Sequence, residues 1–189
     1  MTPPAALDTA RLRLRPPVAA DLDDLAAMHA DPEVMAHFRT PLDRAASDAF
    51  MAQMAAHRER HGFGAWTLER RSDGAVVGLA GLLVPTFDAP FTPCVEISWR
   101  LARPHWGKGY ALEAAAAALA FGFDDLGLDR IVAFTVPANQ RSWRLMERLW
   151  MRRDPADDFD HPNLPHGHPL RRHVLYRRSS AAWRGRQPG

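Results

Sequence analysis

An apolar, strand-like run from Cys94 to Leu101 is followed closely by Trp106-Gly107-Lys108-Gly109-Tyr110-Ala111 and then by an alanine-rich stretch. No other segment constrains the fold as tightly. Two glycines permit a tight turn and the alanines beyond them favour a helix, so backbone N–H groups at the helix start point outward. Such a turn suits phosphate, because free amides and the positive end of the helix dipole coincide there. Lys108 within it is the single lysine of the chain, against twenty-three arginines. That preference for arginine, alongside abundant alanine and proline, is most simply a compositional bias of the genome.

Two better-known phosphate motifs fail on inspection. A nucleoside triphosphate loop carries Ser or Thr after its Gly-Lys, and Gly109 stands there. A dinucleotide fingerprint wants a third small residue where Leu112 sits.

At 189 residues, 47% of them hydrophobic, the chain is expected to form one domain over 1–189 with its core at about 7–178. The net charge of +2 is spread among interleaved acids and bases, which argues against nucleic acid as a partner. Arg11-Leu12-Arg13-Leu14-Arg15 alternates as a half-exposed strand does. One cysteine, Cys94, excludes an intramolecular disulfide and a cysteine-based zinc site. The sequence shows neither an export signal nor an apolar run of the ~20 residues that span a bilayer, so a soluble cytoplasmic protein without a membrane partner is expected.

Residues 1–8 read as a loose leader and 179–189 as a frayed tail. Strands are expected at Leu12 to Arg15, Ala65 to Arg70, Val76 to Val84, Cys94 to Leu101, Arg130 to Val136, Met151 to Asp154 and His173 to Arg177. Helices are expected from Asp21 to about Met28, in a short restart at Asp31-Pro32-Glu33, at Arg44 to His61, Gly109 to Asp125 and Gln140 to Leu149. Arg71 to Gly74 is the turn of a hairpin, and the proline-rich stretch Pro85 to Pro93 is a loop near the site. Strands and helices do not alternate regularly, which points to an α+β fold.

The strand, the Trp-Gly-Lys-Gly-Tyr-Ala turn and a later strand ending in Val136-Pro137-Ala138-Asn139-Gln140-Arg141-Ser142 together resemble the GNAT superfamily of acyl-CoA-dependent N-acyltransferases. Within it the chain is most similar to the ribosomal-protein alanine N-acetyltransferases and their small-molecule relatives, over roughly Leu7 to Arg178. The resemblance implies a mixed, mostly antiparallel sheet, flanked by helices, whose central parallel strands splay apart to admit pantetheine. It implies acetyl-CoA as co-substrate and a small-molecule amine or a peptide N-terminus as acceptor, and it allows a homodimer. Ile97, Ser98, Trp99, Arg100 and Leu101 would pair with pantetheine or face the acetyl oxygen. Trp106, Gly107, Lys108, Gly109, Tyr110 and Ala111 would cradle the diphosphate through their amides, and Asn139 would bind pantetheine amides.

For catalysis the resemblance points to Glu96 as base, through a water, and to Ser142 as proton donor to the leaving thiolate. The alternatives are a strand carboxylate paired with arginine and a helix-start serine. Trp66 and Trp99 are expected to wall the acceptor pocket, and Asp160 or His161 to bind the ammonium or act as an alternative base. Prolines among His161, His166 and His168 argue against a metal site. Two positions depart from the wider superfamily pattern: Trp106 replaces Arg or Gln, and Trp150 replaces a glycine after the helix that follows Asn139. A CoA-binding sensor or assembly module of the same fold, without turnover, is the competing function.

Overall fold

The computed structural model describes residues 6–185. Short β1 (Leu7–Asp8) and β2 (Leu12–Arg15) lead into helices α1 (Leu22–Ala30) and α2 (Arg44–His61). The hairpin of β3 (Ala65–Arg70) and β4 (Val76–Leu83), strand β5 (Glu96–Leu101), helix α3 (Tyr110–Ala120), strand β6 (Arg130–Thr135) and helix α4 (Gln140–Arg148) follow. The chain ends with β7 (Arg152–Arg153), β8 (Phe159–Asp160), β9 (Arg172–Ser179) and α5 (Ser180–Arg184). The strands form one mixed sheet in the order β1-β2-β3-β4-β5-β6-β9-β7, with β8 added on β9. Every neighbouring pair is antiparallel except β5 and β6.

Alternation divides the sheet between two cores. Leu12, Leu14, Trp66, Leu68, Ile97, Leu101, Ile131 and Ala133 face the small side chains Ala114, Ala115 and Ala118 of α3, whose lack of bulk lets that helix lie close to the strands. On the other face Leu79 packs with Leu25 and Met28 of α1 and Met51 of α2. Farther along that face Phe159 covers Val132 and Leu175.

The arginines of β2 are not mere surface. Arg15 places Nη1 and Nη2 2.7 Å from the two oxygens of Asp21, and its Nε donates to Glu69 at 2.6 Å. Asp21, only 2% exposed, also accepts from the Val18 amide and the Thr67 hydroxyl, each at 2.9 Å. This buried, fully bonded carboxylate fixes the start of α1 against the sheet.

Several boundaries differ from the sequence reading, each for a local reason. Leu7 and Asp8 pair with β2 rather than belonging to a leader; the remainder of that stretch, 1–5, lies outside the described residues. Ser179 ends β9 and caps α5 by accepting from the Ala182 amide at 3.2 Å, and Trp183 donates to Asp124 at 2.9 Å, so 179–185 is ordered structure, while the remainder of the expected tail, 186–189, lies outside the described residues. Asp31-Pro32-Glu33 starts no helix: the Asp31 carboxylate accepts from the Glu33 amide at 2.8 Å, and successive turns run to Phe38. The predicted helix to Asp125 ends as α at Ala120 and continues as a π turn over Phe121–Asp125. Trp150 holds the left-handed C-terminal position of α4, at φ 59°, with the Met151 amide bonded to the Met146 carbonyl at 3.0 Å. The turn expected of glycine therefore forms around an aromatic residue, at a conformational cost of about 1 kcal/mol.

Burial drives the Asp21 carboxyl up, but Arg15, Val18 and Thr67 together hold it below the usual carboxylate range. A depressed folded-state pKa contributes stability above the unfolded value near 3.9, lost as pH falls through the folded one. Asp21→Asn is expected to lower unfolding free energy at pH 7 by about 2 to 4 kcal/mol. Urea denaturation at pH 7 and pH 3 checks this, the gap between wild type and variant narrowing at the lower pH.

Candidate active site

β5 and β6 touch at one place. Glu96 pairs with Val132, and the Val132 amide donates to the Val95 carbonyl at 2.9 Å. Beyond that bridge β5 continues along β4 as far as Leu101 with Gly78, while β6 continues along β9 as far as Thr135 with Val174. Two strands committed to opposite neighbours leave a wedge between them. Because successive residues of a strand turn their N–H and C=O to opposite sides, and Val95 faces β6, the backbone of Ile97, Trp99 and Leu101 faces the wedge. Ser98 and Arg100 turn their backbone to β4, which narrows the expected set of five. The Leu101 carbonyl is already taken by the Trp106 indole N–H at 2.7 Å.

The glycine turn lies at the mouth of the wedge. Gly107 (φ 73°) and Gly109 (φ 82°) are left-handed, a conformation that costs other residues about 1 to 2 kcal/mol. Behind the turn stands Arg11. Its Nη1 donates to the Lys108 carbonyl at 2.8 Å, its Nε to Glu113 Oε2 at 2.7 Å, and its amide to Glu113 Oε1 at 2.7 Å. The Thr9 hydroxyl completes the set on Glu113, also at 2.7 Å. Burial raises the Glu113 carboxyl, and these bonds bring it below its ordinary range, so a fixed charge anchors the first turn of α3 to the β1–β2 corner.

The other lip is the start of α4. Asn139 caps it, its side-chain oxygen accepting from the Ser142 amide at 3.3 Å while Nδ2 donates to Thr135 at 3.0 Å. Its amide is thus occupied in holding α4 to the end of β6. Ser142 is half-buried, and its hydroxyl has no partner among the described residues. Arg141 lays its guanidinium 4.5 Å from the centre of the Trp106 ring, joining the two lips.

Side chains of β5 sort by face. Ile97, Trp99 and Leu101 point to the α3 core, so Trp99 does not share a face with Glu96. Trp66 is fully buried, packed edge-on against Phe121 at 5.3 Å, and exposes no surface to a pocket. Neither tryptophan walls the face that carries Glu96. That face holds Glu96, Ser98 and Arg100 in a column between α1–α2 and an aromatic group of Phe87, Phe91, Phe134 and Phe159. Glu96 has no hydrogen-bond or ion-pair partner among the described residues, and burial alone pushes its carboxyl up to about 8. Asp160, by contrast, is paired with Arg171 at 3.3 Å and Arg172 at 3.5 Å, which hold it below the carboxylate range. His161 leans on Phe87 at 4.5 Å and accepts from the Asn163 amide at 3.3 Å; burial keeps it neutral to lower pH than a free imidazole. Among the described residues no group of three His, Cys, Asp or Glu could hold a metal ion.

Two contributors escaped the sequence reading. Arg11 looked like one of three interchangeable strand arginines, and nothing local in the sequence distinguishes it. The resemblance assigns Arg100 a role through its backbone alone, although its spacing of two and four residues from Ser98 and Glu96 places all three side chains on one face. Arg11→Ala should lower unfolding free energy by about 1 kcal/mol, modest because the pair is partly exposed. Amide exchange should accelerate from Gly107 to Glu113; unchanged protection there would show that the turn holds without its brace.

Residues 11–152 match the Acetyltransferase (GNAT) domain family. An uncharacterized N-acetyltransferase of Bacillus licheniformis is 32% identical over 145 residues, 76% of this chain and 80% of that one. The crystal structure of a GNAT-family acetyltransferase from Bacillus anthracis superposes with a TM-score of 0.76 at 25% identity, covering 93% of this chain and 99% of its own. A ribosomal-protein-S5-alanine acetyltransferase from Vibrio fischeri shares the fold, with a TM-score of 0.73 over 98% and 100% of the two chains, at 13% identity. With the wedge, the glycine turn and these likenesses in agreement, the chain belongs to the GNAT acetyltransferase domain family.

Proposed function

We propose that this acetyltransferase moves the acetyl group of acetyl-CoA to a primary amine, of a small molecule or a peptide N-terminus, by direct attack on the thioester. The observation that carries the reading is the wedge with unpaired backbone at its edge and a helix N-terminal glycine turn at its mouth. Pantetheine contains amides and suits such an edge as an added strand does. The diphosphate then meets the amides of Trp106 to Ala111, with Lys108 adding a point charge.

The chemistry has three requirements. An alkylammonium with pKa near 10 must lose its proton, and Glu96, raised to about 8, is a far better acceptor than an ordinary carboxylate. Attack by the amine nitrogen on the thioester carbon makes an oxyanion, for which the wedge-facing N–H of Trp99 is the donor. As the carbon–sulfur bond breaks, the Ser142 hydroxyl donates its proton to the thiolate and is reprotonated by the second proton that the attacking nitrogen sheds on becoming an amide. Asn139 acts indirectly by positioning Ser142.

A thiol-release assay with acetyl-CoA and a panel of amines tests this. Activity should rise with pH through about 8, because the base works only when deprotonated. Glu96→Gln should remove that limb and lower kcat by roughly 10²- to 10⁴-fold. CoA binding without any amine-dependent release would instead identify a sensor module. In CoA titrations Gly107→Val should weaken binding more than Lys108→Ala, since the first strains the turn and crowds the amides while the second removes a single exposed charge.

A further inference from the structure

On the Glu96 face lies a cleft of about 640 Å³, bounded by the turns after α1, by α2 and by the loop before β9. Its walls are largely apolar, with Met35, Leu42 and Phe50, yet it contains Arg100, Arg39 and His168. Arg100 is the unusual member. Its Nε and Nη1 are shut off from solvent and bonded to nothing. One aromatic ring, Phe38, lies 4.0 Å from the guanidinium carbon and another, Phe50, 5.3 Å from it. Burial pushes this guanidinium down to about 10, and no carboxylate counters that effect. Neither Arg39 nor Arg100 forms an ion pair among the described residues.

A buried cation without an anion is expensive, and structures keep one mainly where something else supplies the charge. The neighbouring imidazole does not. His29 bonds Ser47 at 2.8 Å through Nδ1, and burial together with the Arg100 charge keeps it neutral down to about pH 4. With aromatic rings beside the guanidinium and Nε and Nη1 sealed, Nη2 is the donor left open to the cleft, and a carboxylate there accepts a charge-assisted hydrogen bond from it. Glu96 and Arg100 stand four residues apart on one face, about 13 Å between Cα atoms. The cleft is lined by Arg100 and not by Glu96, so an amine held at Glu96 needs an apolar body of about that length to bring an anionic end to Arg100.

We infer that the acceptor is a long amino carboxylate and that Arg100, beside Phe38 and Phe50 in the apolar cleft, binds its carboxylate and determines acceptor specificity. The inference rests on the acetyltransferase reading for the amine and on the cleft alone for the anion.

The test compares acceptors long enough to span the two groups and differing at the far end: 6-aminohexanoate with 6-aminohexanamide, 8-aminooctanoate with 8-aminooctanamide, and 6-aminohexanoate with 5-aminopentylphosphonate. The carboxylates should exceed their amides in kcat/KM by roughly 10- to 100-fold, mainly through KM, as for a charged hydrogen-bonded contact. Arg100→Met should bring that ratio close to one, and Arg100→Lys should restore part of it. Amides accepted as well as carboxylates by the wild-type protein, or the phosphonate preferred to 6-aminohexanoate, would overturn the inference without any variant having to fold. Calorimetry on CoA-saturated protein separates the two readings. If no amine is acetylated but hydrocinnamate binds more tightly than hydrocinnamide, the anion site stands while the catalytic reading fails. Equal binding of those two probes sinks the anion site.

Discussion

The single parallel bridge between Glu96 and Val132 is the constraint on which the rest of the site depends. Were β5 and β6 paired along their whole length, the backbone of Ile97 and Trp99 would be consumed by the sheet. Instead β5 is held on β4 and β6 on β9, and the wedge between them persists because each strand has a complete partner on its far side. The sheet thus stays continuous at one end and presents unsatisfied donors and acceptors at the other. Buried groups of that kind are tolerated where a ligand completes them. The same divergence delivers the two chain segments that follow, the glycine turn after β5 and the start of α4 after β6, to opposite lips of the wedge.

Arginine is where composition misled most. Read as a genomic preference, the twenty-three arginines carry no message, yet three of them bear on the architecture in distinct ways. Arg15 satisfies the buried carboxylate of Asp21, and Arg11 ties Glu113 and the Lys108 carbonyl to the β1–β2 corner. Arg100 is held among aromatic side chains without a partner. A lysine could not replace any of them fully: the first two use several donors of one planar group at once, and the third lies against rings. Lys108, conspicuous in the sequence for being alone, supplies a carbonyl to the brace and a charge at the surface, while the amides around it form the turn.

The fold was largely legible because its signals are local. Alternation in β2, the Ser72-Asp73-Gly74 turn of the hairpin, the glycines around Lys108 and the alanines of α3 each specify their own element; those elements start within a residue or two of expectation, and only α3 ends early, giving way to the π turn after Ala120. Short pieces were missed where long-range pairing creates them: β1 exists through its pairing with β2, and β8 through its pairing with β9. The positions of Glu96 on β5, of Ser142 at the start of α4 and of the glycine turn ahead of α3 were legible from the strand and helix signals around them, while their chemical roles stand as proposed. The candidate site was not legible at Trp66 and Trp99, since an aromatic residue on a strand buried on both sides fits core and pocket equally well in sequence. Asp160 likewise gave no hint that Arg171 and Arg172 would neutralise it.

Glu96 and Arg100 show one physical cause acting with opposite signs. Desolvation disfavours charge, so it raises the carboxyl to about 8 and lowers the guanidinium to about 10. The two groups could have cancelled each other as an ion pair, which would have returned Glu96 toward the ordinary carboxylate range. Strand geometry prevents that by placing Ser98 between them on the same face. Each therefore keeps an unmet demand: the carboxylate for a proton, the guanidinium for an anion. On the proposed reading, an acceptor long enough to carry an ammonium to the one and a carboxylate to the other meets both demands at once, with the column on β5 as its template.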